Sequence, residues 1–372
     1  MPKQTTDVSN DPVGITYTAP GETWTIVKGV DVFGVEVGVL SNQADSTLKN
    51  DGSVAGNGAG VFFDGDGAVS TFRVENGSKG KIYGGEAGVA LVDYVGSALI
   101  NNKGSITGLS SAVYLHGASD VTVKNKGTIS GAYQGVYVRV DSVSDSGPVV
   151  DNHGKIKGGL VGVGFEMSAS LLATVHNHKG AVIESTSTAV ASGAQLKLTN
   201  EGKVKGSVIT DEGADVIVNK GKMGDVSLGD AIDSFKNKGG GKSGMIDTGD
   251  GNDLVVLGKK ADTLLFASNL DAMTNVDTIK KFESGKDKIY LNLDIFTELS
   301  SGPLSPSQFH KGTAAADADD RIIYDKKSGS LYYDADGSGA AGQVKFADLG
   351  AGTKLKVSDI KAGYMSIDFP VT

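Results

Sequence analysis

The 372-residue chain contains no cysteine, which excludes disulfide staples and Cys-ligated zinc. Proline (7), tryptophan (1), phenylalanine (12) and tyrosine (11) are scarce, so little is available to fill a thick globular core. No stretch approaches the roughly 18 apolar residues of a membrane-spanning helix, and Met1-Pro2-Lys3-Gln4-Thr5-Thr6-Asp7 lacks the apolar run of a secretory signal. With 35 basic and 44 acidic residues the formal charge is −9, the wrong sign for general nucleic-acid binding and too small for disorder. Glycine is what the chain has in excess, 54 residues of it, and plentiful turns around a thin, layered core suit that supply.

The glycines belong to a repeat. Asn-x-Gly followed by alternating apolar residues recurs at Asn50, Asn102, Asn125, Asn152, Asn200, Asn219 and Asn237, with looser copies at Asn76 and Asn177. Successive asparagines lie 26, 26, 23, 27, 25, 23, 19 and 18 residues apart. Within one period, Ala112–Leu115, Val121–Val123 and Thr128–Ser130 read as three short strands, each with one inward face. Strands this short bury little alone, so the pattern predicts an all-β, right-handed parallel β-helix in which each rung pairs with the next. The asparagines are expected to stack as an interior ladder, with the neighbouring glycine at positive φ.

Toward residue 211 the period shortens and aspartate enters the glycine turns, at Asp215, at Gly229-Asp230-Ala231-Ile232-Asp233 and at Gly249-Asp250-Gly251-Asn252-Asp253. Asp215, Asp233 and Asp253 are 18 and 20 residues apart. The stretch from Thr248 to Val256 resembles the RTX nonapeptide G-G-x-G-x-D-x-U-x, with Thr248 in place of the first glycine. Ca²⁺ takes six to eight hard oxygen ligands, which carboxylates and the carbonyls of open glycine turns can supply. The expected ligand set is Asp215, Gly229, Asp230, Asp233, Gly249, Asp250, Gly251 and Asp253, with Ca²⁺ binding coupled to folding.

Beyond Ala261, the segment from Val276 to Leu291, then Arg321–Asp325, Ser328–Gly337 and Val344–Leu349, closing at Ser358-Asp359-Ile360, resembles the capping and terminal β-hairpin region of RTX exoproteins, including the C-terminal part of serralysin-type proteases. That resemblance spans roughly residues 245–372 and implies export by a type I secretion apparatus. Asp334-Ala335-Asp336-Gly337 opens like an EF-hand loop, but Lys345 stands where the bidentate glutamate belongs, so the segment reads as a hairpin turn.

The expected organisation is a cap or leader over 1–25, a parallel β-helix over 26–210, an RTX-like calcium β-roll over 211–260 and a C-terminal cap with a β-hairpin over 261–372. Trp24 and Val27 are candidates for covering the first rung. A β-helix invites an enzymatic reading, for which His116, His153, His176, His178, Glu166, Arg73 and Arg139 are the candidate groups, but no established catalytic motif joins them. Lys103, Lys126, Lys155, Lys179, Lys203 and Lys220 recur beside the turns and suggest a basic stripe for an acidic extracellular polysaccharide or lipopolysaccharide. The expectation is a secreted, calcium-binding, non-catalytic surface or matrix protein, adhesin-like. A polysaccharide lyase or epimerase is the alternative, and a bacteriocin-like toxin the third.

Overall fold

The computed structural model describes residues 2–65, 69–93, 95–117, 120–141, 146–168 and 170–367. Among them there is no α-helix, only the 3₁₀ turns Pro306–Gln308 and Val357–Asp359, and no helix is long and apolar enough to cross a membrane. The fold is all-β and a parallel β-solenoid. It divides into two compact units, with the boundary between Gly206 and Ser207.

Coils of three short strands make up the first unit. Val95–Asn102, Ser105–Gly108 and Ser111–His116 stack in parallel on Asp120–Asn125, Thr128–Gly131 and Gln134–Val140, with Asn102 opposite Asn125, Ile106 opposite Ile129 and Val113 opposite Val136. Because the pairing is in register, each sequence position becomes a column along the coil. One interior column reads Val54, Ile82, Ile106, Ile129, Ile156 and Ile183, all buried. Trp24 lies on Thr23–Ile26, between Lys3–Gln4 on one side and Thr47–Asn50 on the other. It therefore sits one strand inside the first rung.

The asparagines form a buried ladder. Nδ2 of Asn50, Asn76, Asn102, Asn125, Asn152 and Asn177 each donates to Oδ1 of the next, at 2.9 Å for the first pair and 2.8 Å for the other five. An amide carries both a donor and an acceptor, so a stacked column of asparagines satisfies itself. Remaining capacity goes to the turns, as where Asn102 Nδ2 also donates to the Thr128 carbonyl at 3.1 Å.

The adjacent glycines depart from expectation. Gly52, Gly104, Gly127, Gly154 and Gly202 do not have positive φ; Gly180 (φ 88°) and Gly239 (φ 62°) do. Where φ is not positive, the reason for glycine is close approach. A Cβ on Gly127 would lie 2.0 Å from the Gly104 carbonyl oxygen, and one on Gly154 2.2 Å from that of Gly127.

In the second unit the coil narrows to two strands per turn. Val216–Asn219, Ser234–Asn237, Leu254–Val256 and Asp277–Lys280 stack in parallel on one side, and Val226–Ser227, Met245–Asp247, Thr263–Phe266, Lys288–Asn292 and Ile360–Gly363 on the other. The antiparallel strands Ile322–Asp325, Ser330–Tyr333 and Val344–Asp348 close the unit, the last lying parallel to Asp277–Lys280. Residues 334–343 are the hairpin connection between two of these strands. Phe266, Phe296, Tyr333 and Phe346 pack edge to face beneath them.

Gly127→Ala should lower the unfolding midpoint of the first unit strongly, by on the order of 3 kcal/mol, because rigid backbone blocks the added methyl. Gly180→Ala, with nothing within 4 Å of the added Cβ, meets only backbone strain and should cost about 1–2 kcal/mol. Urea denaturation followed by circular dichroism checks the order; equal losses would contradict the packing explanation.

Candidate metal centre

Strand entry in the second unit is occupied by acid. Registers Val216–Ser234–Leu254–Thr278 place the preceding residues Asp215, Asp233, Asp253 and Asp277 in a single column. All four are buried, at 1%, 1%, 1% and 3% exposure. Each backbone N–H donates to the carboxylate of the next turn: Asp215 N to Asp233 Oδ1 at 2.7 Å, Asp233 N to Asp253 Oδ1 at 2.7 Å and Asp253 N to Asp277 Oδ1 at 3.2 Å. Thr248 Oγ1 donates to Asp277 Oδ2 at 2.7 Å.

One oxygen each of Asp233 and Asp253 is thereby engaged, and both oxygens of Asp277 are. The second oxygens of Asp233 and Asp253 are buried with no hydrogen-bond partner. A buried, unpartnered carboxylate oxygen is costly, and a carboxylate can only accept, so stacking cannot satisfy it as it satisfies asparagine. Protonation or a cation relieves the strain. Burial pushes Asp233 up to about 8, with Asp215, Asp253 and Asp277 adding like-charge repulsion. Asp253 is likewise pushed up to about 8 by burial and by Asp277, and burial raises Asp277 to about 6. Asp247, close enough to feel Asp277 and Asp250, is raised to about 6 by burial.

The turns leading into the column are wound alike. Gly229 (φ 74°) and Ala231 (φ 93°) match Gly249 (φ 79°) and Gly251 (φ 151°) in alternating positive φ, so an alanine is held in a conformation that favours glycine. A Cβ on Gly251 would lie 1.8 Å from the Ala231 carbonyl oxygen and 2.9 Å from Asp253 Oδ1. Successive turns thus stack directly beside the carboxylates. The expected ligand set separates into two layers: Asp215, Asp233 and Asp253 are interior, while Asp230 and Asp250 are exposed and line a cleft of about 600 Å³ with Asn252, Asp271 and Asn275.

Asp277 extends the column beyond the expected ligand set, and Thr248 and Asp247 at the end of the facing strand lie beside it. Asp277 follows Asp253 by 24 residues rather than 18 or 20, because residues 258–276 lengthen that turn. A positional signal does find it. Four residues before each ladder position of the first unit stand Ser46, Phe72, Ala98, Val121, Pro148, Ala173 and Leu196; the same offset from Asn219, Asn237, Leu257 and Lys281 gives the four aspartates.

The other candidates scatter. Lys103 and Lys126 follow ladder asparagines, but that column also contains Asp51, His153, His178 and Glu201, and Lys155 lies on another strand, ion-paired to Glu184 at 2.6 Å. All six lysines are exposed without forming one basic column. His153 and His178 stack at 3.7 Å and 8°, both facing Asp151, with Nε2 of His178 2.6 Å and that of His153 3.5 Å from its carboxylate. Parallel rings aim their in-plane lone pairs side by side instead of at one point, so this is a hydrogen-bonded stack. Arg73 faces Glu75 at 3.9 Å. His116, Arg139 and Glu166 do come together: His116 Nε2 lies 2.5 Å and Arg139 Nε 2.9 Å from Asp141, and Arg139 reaches Glu166 at 3.6 Å. Tyr137 Oη donates to Glu166.

No family model, curated protein or solved structure matches the chain.

For the chain without a cation, the sign of the pH dependence is fixed. Asp233 and Asp253 keep protons when folded at pH values where the unfolded chain has released them. This contribution to stability is therefore fully present below about pH 4 and lost as pH rises through about 8. In chelator, the melting midpoint of the second unit should fall between about pH 5 and pH 8, and Asp233→Asn with Asp253→Asn should flatten the slope. A wild-type midpoint that rises over that range would contradict the assignment.

Proposed function

We propose that this chain is a calcium-binding β-solenoid whose second unit completes its fold around Ca²⁺. The observation that carries the reading is the buried Asp215–Asp233–Asp253–Asp277 column, with two carboxylate oxygens left unpartnered. The donor set is all oxygen and acidic, which suits a hard divalent cation over a transition metal. Asp233 and Asp253 would hold the ion through their second oxygens, with carbonyls of the positive-φ turns completing the shell. Bound calcium supplies the charge that the column otherwise obtains from protons.

More particularly, the reading is an RTX-type exoprotein: exported by a type I apparatus, folded outside the cell where calcium is abundant, and acting there as a non-catalytic, polysaccharide-binding surface or matrix protein. The motif from Thr248 to Val256 and the antiparallel closing strands support it. A polysaccharide-active enzyme is the second reading, favoured by the grouping of His116, Tyr137, Arg139 and Glu166. Against it, Arg139 is already held by two carboxylates, so no uncommitted cation in the group stands ready to neutralise a uronate.

Calcium titration with calorimetry and circular dichroism tests the metal assignment. At about 100 times Kd the second unit should gain about 2.7 kcal/mol. Asp233→Asn with Asp253→Asn keeps an acceptor for each backbone N–H and should fold while losing the calcium response. Absence of heat and structural change in the wild type, or an unchanged response in the variant, would overturn it. For the enzyme reading, release of unsaturated products from a uronic-acid polymer, abolished by His116→Ala, is the deciding observation.

A further inference from the structure

The first unit carries a row of rings on one outward face, interrupted at one position. Leu40, Phe62, Ala90, Tyr114, Tyr137 and Gly164 stand in register on successive strands. Their sequence neighbours Val61, Phe63, Val89, Leu91, Val113 and Leu115 point into the core, so this column lies on the opposite side of the strands, with its larger members half-buried and Ala90 and Gly164 covered between them. Tyr114 and Tyr137 stack with centroids 6.0 Å apart and planes 12° apart. Tyr137 leans over Gly164, where a Cβ would approach ring atom Cδ2 at 3.0 Å, and its hydroxyl donates to Glu166. The tyrosine pair is thus anchored on its far side, and the opposite face of Tyr114 borders the gap above Ala90.

That gap is a cavity of about 470 Å³, lined by Phe62, Ala90 and Tyr114, with Glu86, Ser110 and Gln134 among its polar groups. Phe62 and Tyr114 are two strands apart, roughly 9.6 Å at the ordinary strand spacing. Carbon contacts of about 3.5–4.0 Å on each face account for ~7–8 Å of it. Ser111 Oγ donates to Gln134 Oε1 at 2.8 Å, so the amide oxygen of Gln134 is already engaged. The Phe62 and Tyr114 rings at the cavity's two ends, with hydroxyl, amide and carboxylate groups in the lining, match a sugar ring, whose faces are C–H and whose perimeter is hydroxyl. Among the described residues Glu86 is the one charged side chain lining the cavity, so an anionic sugar is disfavoured.

We propose that this slot between Phe62 and Tyr114 binds a neutral pyranose unit of a glycan. The proposal rests on the polysaccharide-binding part of the reading above, not on calcium, and shifts that role from the lysines to an aromatic site. Ala90→Phe completes the row of rings and closes the slot; Tyr114→Ser removes one wall.

The test is affinity electrophoresis of the full chain, in calcium, through gels containing dextran, galactomannan or xyloglucan, with alginate and polygalacturonate as acidic counterparts. Circular dichroism confirms that each variant is folded. The expected result is retardation by at least one neutral polymer, weakened tenfold or more by Ala90→Phe and by Tyr114→Ser. Retardation that survives both substitutions, or that occurs with the acidic polymers alone, overturns the slot while leaving glycan binding intact. No retardation of the wild type by any polymer overturns both. Saturable binding of indole at the slot without any sugar binding would overturn the sugar assignment.

Discussion

In-register parallel stacking is the constraint on which everything else depends. Once each rung lies on the last with no offset, a residue type at one position is repeated about every 4.8 Å along the coil. Whatever stands in a column must tolerate its own copies as neighbours. Isoleucine does so by packing, and asparagine does so because an amide donates to the next amide. Glycine does so by letting carbonyls of adjacent rungs approach to distances that any Cβ would block.

Aspartate alone fails that test. Two carboxylates at the rung spacing repel by about 3.5 kcal/mol at an effective dielectric near 20, and neither can donate to the other. The Asp215–Asp277 column therefore has two ways to exist, with protons on some members or with a cation among them. The first weakens toward neutral pH; the second requires a cation. A fold whose rungs are otherwise self-sufficient acquires in this column a dependence on its surroundings, and the dependence is confined to the second unit. The first unit, with Phe72, Ala98, Val121 and Leu196 at the equivalent offset, has no such column.

Much of this was legible in the sequence, for a physical reason: columns turn periodicity into geometry. Asn50 to Asn237, the three-strand period and the positions of Asp215, Asp233 and Asp253 could be read directly. Asp277 was hidden by the longer turn before it, and the role of Thr248 by its apparent status as a substituted glycine. Positive φ accounts for Gly180 and Gly239, but at Gly127 and Gly154 the cause is close approach between rungs, which depends on neighbours that a single period does not display. The ring row is not legible in the sequence because its members, Phe62, Tyr114 and Tyr137, are linked only through strand register, with Ala90 and Gly164 informative by their smallness. The lysines show the converse: similar spacing along the chain puts Lys103 in a turn and Lys155 on a strand.

Amide hydrogen exchange of the full chain, resolved by peptide with and without calcium at neutral pH, tests the central claim most directly. The account predicts that peptides covering residues 211–280 gain protection when calcium is added, while those covering 95–141 in the asparagine-ladder region are protected in both conditions. Equal protection of residues 211–280 with and without calcium would contradict it.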